Sequence, residues 1–591
     1  MQAQHGYPES ASKLRYRWQE TQRILREGTQ DWSNLLQGLD YLRLIESGEI
    51  DENTMVLLFS EGSAQLYRDK DSSTRFSIAI SGDLAPDVRH LESSVIPQFV
   101  VGGPNSAQHD SFSLLTLAHL AACQRRGIKV WDSLSQKVIK KHPFLLFALA
   151  DTVAMTDMSK SVGHHGRNGC RLLCNMPGRH KPGVGTYYPA LLRPIGEVPR
   201  IPAASAHPDI HPDNVAAPTV EDYQRRLQRV LDAPNVTQYK KRRKKTGVRG
   251  PSLFSVLPKA LPCPKLFPAD LMHLYYNLNQ LLVQLWRGDI DYTGDDDPAS
   301  WPFAILHDPD KFAEFGLAVE RASRYIPTCV ESRIPRNPAA KINSQYKASE
   351  YHTLIFSLSV GFFYGWMPDH LYQHFCQLVS ATRVVLRRRK SLAELHEAHR
   401  NLSEFVVLFK EYYYQRKMEH LHFVRPCIHA LLHLIEELLR VGSLTELSQW
   451  TMETTIAHYE RRLRLDSNPY GNLGVEVAEQ AVANAIYALD PSLRVVLKPS
   501  DSSSYSRDVG YGYTSLHPRD QHLMDPEDAQ LFKDFCVRYE WQDVVDRITP
   551  ESLPTVERFA RLRLPKDRLQ GQDGKRRNEK FQKFVSQGSL R

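Results

Sequence analysis

The chain has 591 residues, with 75 Lys and Arg against 67 Asp and Glu, a formal charge of +8, 42% hydrophobic and 24% charged residues. This composition describes a soluble globular protein long enough for several domains. No apolar run reaches the roughly 18 residues of a membrane span and no N-terminal signal pattern is present, so a membrane or secreted protein is not expected. The eight cysteines are scattered apart from Cys170 and Cys174, which predicts a reducing compartment rather than a disulfide framework.

In chain order, residues 1–50 read as a helical segment, with RWQETQRILREG and WSNLLQGLDYLRLIESG both amphipathic. Residues 51–190 alternate strand-like and helical patterns: MVLLFS, FSIAI, a helix through SFSLLTLAHLAACQRR, a short IKVW and the apolar run FLLFALA. That alternation predicts an α/β core. Residues 191–260 hold a Pro-rich linker, a helical TVEDYQRRLQRVLDA and a basic run. Residues 261–445 read as an almost wholly helical insertion, and residues 446–490 as a helix-bearing segment that completes the core. Residues 491–591 read as a small mixed domain with a basic tail expected to be disordered.

The run FLLFALA ends at Asp151, close to SVGHHGRNGCRLLC. A buried strand ending in a carboxylate beside a cysteine pair predicts the rim of a metal-dependent site. Glu453, in SQWTMETTIAHYERRLR, opens a helix-like stretch about three hundred residues later, and tertiary structure would have to unite it with Asp151. The simpler readings are a helix N-cap for Asp151 and an ordinary surface glutamate for Glu453. Cys170 and Cys174 have zinc-ligand spacing, and His180 follows; this predicts a structural zinc site, with His164, His165, Cys263 or His273 open as the fourth ligand. The alternative is a pair of buried free thiols. His429 and His433 in HALLHLIEE share a helix face but lack the glutamate of a metalloprotease, so they read as packed, hydrogen-bonded core histidines.

Basic residues cluster at Lys240, Lys241, Arg242, Arg243, Lys244 and Lys245, at Arg387, Arg388, Arg389 and Lys390, and at Lys575, Arg576, Arg577 and Lys580. Such clusters neutralise phosphates or direct nuclear import, or else lie on solvated faces. They agree with a nucleic-acid partner and a nuclear location without establishing either.

A series of collinear strings carries a more specific signal: SAQLYRDK, GDLAPDVR, ADTVAM, GHHGRNGCRLLC, GRHKPG with YYPALLRP, DLMHL, RNPAAKINSQYKASEY, IHALLHL, QWTMETTI, SNPYGNL and ARLRLP. In these the chain resembles fungal DDE transposases of the CACTA-like and Kyakuja, Dileera, Zisupton and Plavaka groups. The resemblance implies an RNase H-like mixed sheet carrying three carboxylates that hold two Mg²⁺ or Mn²⁺ ions for DNA strand cleavage and transfer. It also implies a DNA partner and admits a homodimer. Asp151 fits the second acid and Glu453 the third. Asp270 and His273 fit a D-x-x-H element that supports the site, with local helix capping as the alternative.

At the first acid the chain departs from the pattern. Relatives read Ser, an apolar residue, Asp, Gly, Ala, Gln, Leu, Tyr, whereas this chain reads Ser60, Glu61, Gly62, Ser63, Ala64, Gln65, Leu66, Tyr67. Gly62 stands where the aspartate is expected. Glu61 is adjacent but should project to the opposite face of an extended strand unless a bulge re-aims it; Asp69 and Asp71 are the other substitutes. The expectation is a transposase-derived DNA-binding protein impaired in cleavage, with an active two-metal transposase as the alternative.

Overall fold

The computed structural model describes residues 2–67, 72–103, 109–195, 205–292, 296–326, 334–344, 346–463, 468–493, 506–510, 513–538, 541–550 and 552–563. Asp69, Asp71 and the cluster from Lys575 to Lys580 lie outside the described residues. The chain divides into two compact units: Met1–Phe312 with Ile355–Arg494, and Ala313–Leu354 with Val495–Arg591.

The larger unit is built on a five-stranded mixed sheet in the order β3-β2-β1-β5-β4. β1 (Thr54–Gln65), β2 (Ser73–Ser81) and β3 (Ile96–Gly102) form an antiparallel meander, and β4 (Ile128–Asp132) pairs antiparallel with the start of β5 (Lys137–Leu149). β5 runs parallel to β1, with Ser60 opposite Leu149. A parallel pair needs a crossover, which the helix His109–Arg126 provides. The run FLLFALA is apolar throughout because β5 is buried on both faces: Phe144 to Ala150 are all no more than 3% exposed.

Side-chain alternation along β1 sends adjacent residues to opposite faces. Glu61 faces the helix His109–Arg126, where Ser113 donates to it at 3.1 Å. Ser60 and Gly62 face the helix Trp450–Arg462: Ser60 meets the Gln449 side chain at 3.3 Å, and Phe76, opposite Gly62 on β2, stacks on Tyr459. Beyond β4, the free edge of β5 is met by the segment after the basic helix, with Leu145 N donating to Lys259 O at 3.0 Å and Ala148 N to Leu266 O at 2.9 Å. That segment carries the chain to Asp270 beside the end of β5.

The residues 261–445, expected as a helical insertion, are shared between the two units. The helices Leu271–Arg287, Asp369–Leu386 and Leu392–Phe409 belong to the sheet-bearing unit, whereas Ala313–Leu354 groups with the C-terminal part. β6 (Arg179–His180) and β7 (Tyr187–Tyr188) make a small ladder after the cysteine loop. In the smaller unit β8 (Ser506–Gly510), β9 (Tyr513–Leu523) and β10 (Thr555–Arg563) form an antiparallel sheet. Met524, Ala529 and Ile548 make a compact apolar cluster there. Among the described residues no helix is long and apolar enough to cross a membrane.

Candidate functional site

Two polar clusters assemble in the larger unit from residues far apart in the chain. The first contains Asp151, Asp270, His273 and Glu453. Asp151 follows β5 and caps the helix Thr152–Ser159, accepting from Ala154 N at 2.7 Å. Asp270 caps the helix Leu271–Arg287 and also accepts from Ser448 Oγ at 2.9 Å and Gln449 N at 3.0 Å. One carboxylate thereby joins the starts of two helices, its own and the one that carries Glu453. Its second oxygen is hydrogen-bonded to His273 Nδ1.

Burial alone would lower the His273 pKa, but the hydrogen bond to Asp270 and the charges of Asp270, Asp151 and Glu453 carry it above the ordinary value. The Glu453 carboxyl is pushed up by partial desolvation and by Asp270 and Asp151, with His273 opposing. Glu453 is nonetheless solvent-exposed, so screening weakens all of these influences. The ligand atoms of these four residues do not gather into a metal-sized group.

Gly62 lies on the strand next to Asp151, and its open side is closed by the Glu453 helix. A Cβ on Gly62 would sit 2.8 Å from Met452 Cγ and 3.1 Å from Ile456 Cδ1. Both neighbours are core residues, 1% and 3% exposed. Any larger residue at Gly62 must displace them. Glu61 does not face Asp151: it points to the other face, between Ser113 and Arg75 Nη1 at 3.5 Å, and the pairing of β1 with β2 runs through Glu61 and Gly62 without a bulge that would re-aim it. Burial raises its pKa against the pull of Arg75.

The second cluster is Cys170, Cys174, His429 and His433, whose ligand atoms all lie within 4.8 Å of one another. Cys170 Sγ is 3.6 Å from His433 Nε2, Cys174 Sγ is 3.4 Å from His429 Nε2, and the two Nε2 atoms are 3.2 Å apart. A tetrahedral ion with Zn–S of about 2.3 Å and Zn–N of about 2.0 to 2.1 Å spaces sulfur from nitrogen by about 3.5 Å and nitrogen from nitrogen by about 3.4 Å. The group can therefore hold such a metal with little movement. Leu173 takes φ +55, a left-handed conformation that returns the loop so that both sulfurs face the histidines. Burial keeps His429 toward the neutral form a ligand requires, and its Nδ1 has no protein partner among the described residues. Around the cluster, Arg171 pairs with Glu437, and Glu437 with Arg440 at 3.1 Å.

His180 is not the third ligand. It sits in β6 with its ring against Tyr187. The open fourth position is not filled by His164 or His165, which pack on each other, by Cys263, buried beside Tyr223, Ser252 and Ser255, or by His273, held by Asp270. Two residues read as ordinary core histidines take both places. The signal that could have found them is matched spacing, C-x-x-x-C on a loop and H-x-x-x-H on one helix face. A separation of 255 residues hides it, and the missing glutamate that excludes a metalloprotease says nothing about an ion shared with a distant loop.

The basic clusters separate as well. Arg387 pairs with Glu394 at 2.5 Å, Arg389 with Asp31 at 3.6 Å, and Lys390 is buried, donating to Arg387 O at 2.7 Å. Arg388 adds to the field holding Glu446. That run largely serves the fold. Lys240 to Lys245 lie on the helix Val236–Thr246, and none of the six has a carboxylate partner among the described residues.

No protein-family model matches the chain, and no curated protein matches it.

Proposed function

We propose that the chain is a nucleic-acid-binding protein derived from a DDE transposase, with an RNase H-like core, a structural zinc and no strand-cleaving activity of its own. The observation that carries this reading is at Gly62, where Met452 and Ile456 occupy the space a first carboxylate would need. Two-metal phosphodiester chemistry asks for hard oxygen ligands around both ions. Here Asp151 and Asp270 are engaged as helix caps, and no third acid among the described residues joins Asp151 and Glu453 in a metal-sized group. The antiparallel meander followed by a helical crossover to a strand parallel with β1 supports the RNase H-like reading. The six cations of Val236–Thr246 that lack a carboxylate partner support DNA as the partner, and a nuclear location follows from it.

Zinc is favoured at Cys170, Cys174, His429 and His433 because thiolate and imidazole together select it over Mg²⁺ or Mn²⁺. Its role would be to tie the loop after β5 to the helices before Glu453. The alternative, an active transposase, draws on the retained group of Asp151, Asp270, His273 and Glu453. A nicking assay on supercoiled plasmid in Mg²⁺ and Mn²⁺ separates the two. The expected result is no nicking by the wild type above the level of Asp151→Asn and Glu453→Gln. Nicking that both substitutions abolish would establish the active enzyme.

A further inference from the structure

The helices Val220–Leu231 and Val236–Thr246 form a hairpin that lines a groove open to solvent. One wall presents Arg225, Gln228, Arg229 and Asp232; the other presents Gln238, Lys241, Arg242 and Lys245. Both sets follow the spacing i, i+3, i+4, i+7, so each is one continuous helix face. The opposite side of the first helix buries Tyr223 and Val230 at 5% and 2% exposure, which fixes the charged face outward.

Some surface cations in this protein are paired, as Arg23 is with Glu20 at 2.7 Å and Glu27 at 2.8 Å. In the groove Arg225 is shared with Asp222, and Arg242 donates to the Arg229 carbonyl at 2.9 Å. Arg229, Lys241 and Lys245 have no acidic partner among the described residues. Lys245 in the last turn complements the helix dipole, but Lys241 one turn earlier does not, and the two repel each other. The single carboxylate of the lining, Asp232, sits at the turn and accepts from Gln228 at 2.7 Å. What sets the groove apart is the concentration of cations on two facing helix faces, which an anionic ligand would neutralise.

We infer that the groove binds the phosphodiester backbone of a nucleic acid. Two facing rows of cations, each stepping about 5 to 6 Å per helical turn, suit a linear polyanion lying between them better than a flat lipid surface. The seat of the hairpin is the cysteine loop. Arg226 donates to Leu173 O at 2.6 Å, and Asn168 Nδ2 donates to the carbonyls of Lys244 and Lys245 at 2.9 and 3.1 Å. The inference rests on the nucleic-acid reading above and names where that partner sits.

The test is fluorescence anisotropy with a short labelled DNA strand and its duplex, titrated with full-length protein between about 50 and 200 mM salt. Arg225→Ala with Arg229→Ala, and Lys241→Ala with Lys245→Ala, should each weaken duplex binding roughly tenfold or more and reduce the salt slope by about 1.8. The control, Arg23→Ala with Arg26→Ala, removes equal charge and should bind as the wild type does; circular dichroism checks that all variants keep their helices. If the wild type binds and the groove variants match it, the groove is wrong while the nucleic-acid reading stands. If the wild type binds neither strand nor duplex, both fail. Binding to phosphatidylserine vesicles through these residues, without DNA binding, overturns the choice of partner.

Discussion

The two polar clusters are assembled alike and used differently. Each joins the region just after β5 to a helix some 250 to 300 residues later, yet the sulfur and imidazole atoms converge on one point while the carboxylates do not. In the acid cluster Asp151 caps one helix, Asp270 locks the ends of two, and His273 is bound to Asp270. In the other cluster the four ligand atoms meet mainly one another. Side chains that retain a chemical role are recognised by what the fold leaves them free to do.

Removing the metal is the sharpest way to break this contrast. Purified protein should carry one zinc, and Cys174→Ser or a strong chelator should release it and lower the stability by several kcal/mol, since structural zinc sites return much of a binding free energy of roughly 10 to 16 kcal/mol to folding. Protein with no stoichiometric zinc and a stability indifferent to chelator would leave only buried thiols. Gly62→Asp comes next: it should destabilise by about 1 to 3 kcal/mol through overpacking against Met452 and Ile456, without restoring nicking. Denaturant unfolding checks the first part, and a Gly62→Asp variant of unchanged stability that nicks plasmid would show that the acid site is only one residue short.

Asp151→Ala should cost about 1 kcal/mol as a lost N-cap, measured by thermal melting. An unchanged melting point would free Asp151 for a metal role. The smallest expected effect is in pH. The folded pKa of His273 lies above its unfolded value, so its pairing with Asp270 contributes fully below the unfolded pKa near 6.5 and is lost as pH rises through the folded value. Melting curves should show that decline in the wild type and its absence in His273→Gln.

Much of the sheet was legible because burial on both faces writes a continuous apolar run, as in FLLFALA, and because Glu61 and Gly62 must alternate on a strand. The adjacency of Gly62 and Asp151 follows from the parallel pairing of β1 and β5. Edge pairing by the segment from Lys259 to Leu266 was not legible, since LPKALPCPKLF is rich in proline and carries no strand pattern. Nor was the closure of Gly62 by Met452, which depends on helix placement rather than on local sequence. The basic run stood out as a string of like residues. Arg225 and Arg229, which face it across the groove, are separated by a helical period and do not stand out. Ion pairing of Arg387 and Arg389 needed partners at Glu394 and Asp31 that no charge count reveals.

The separation of 255 residues between Cys174 and His429 also sets a clock for each newly made molecule. At a synthesis rate of about 5 to 20 residues per second, the two thiols emerge roughly 10 to 50 seconds before the histidines that complete their site. Through that interval they are a bare dithiol, open to oxidation or to borrowed metal carriers. Closure of the cluster therefore waits until His433 has been made, and a molecule whose translation stalls before His429 keeps its two thiols without the imidazoles that face them in the folded chain.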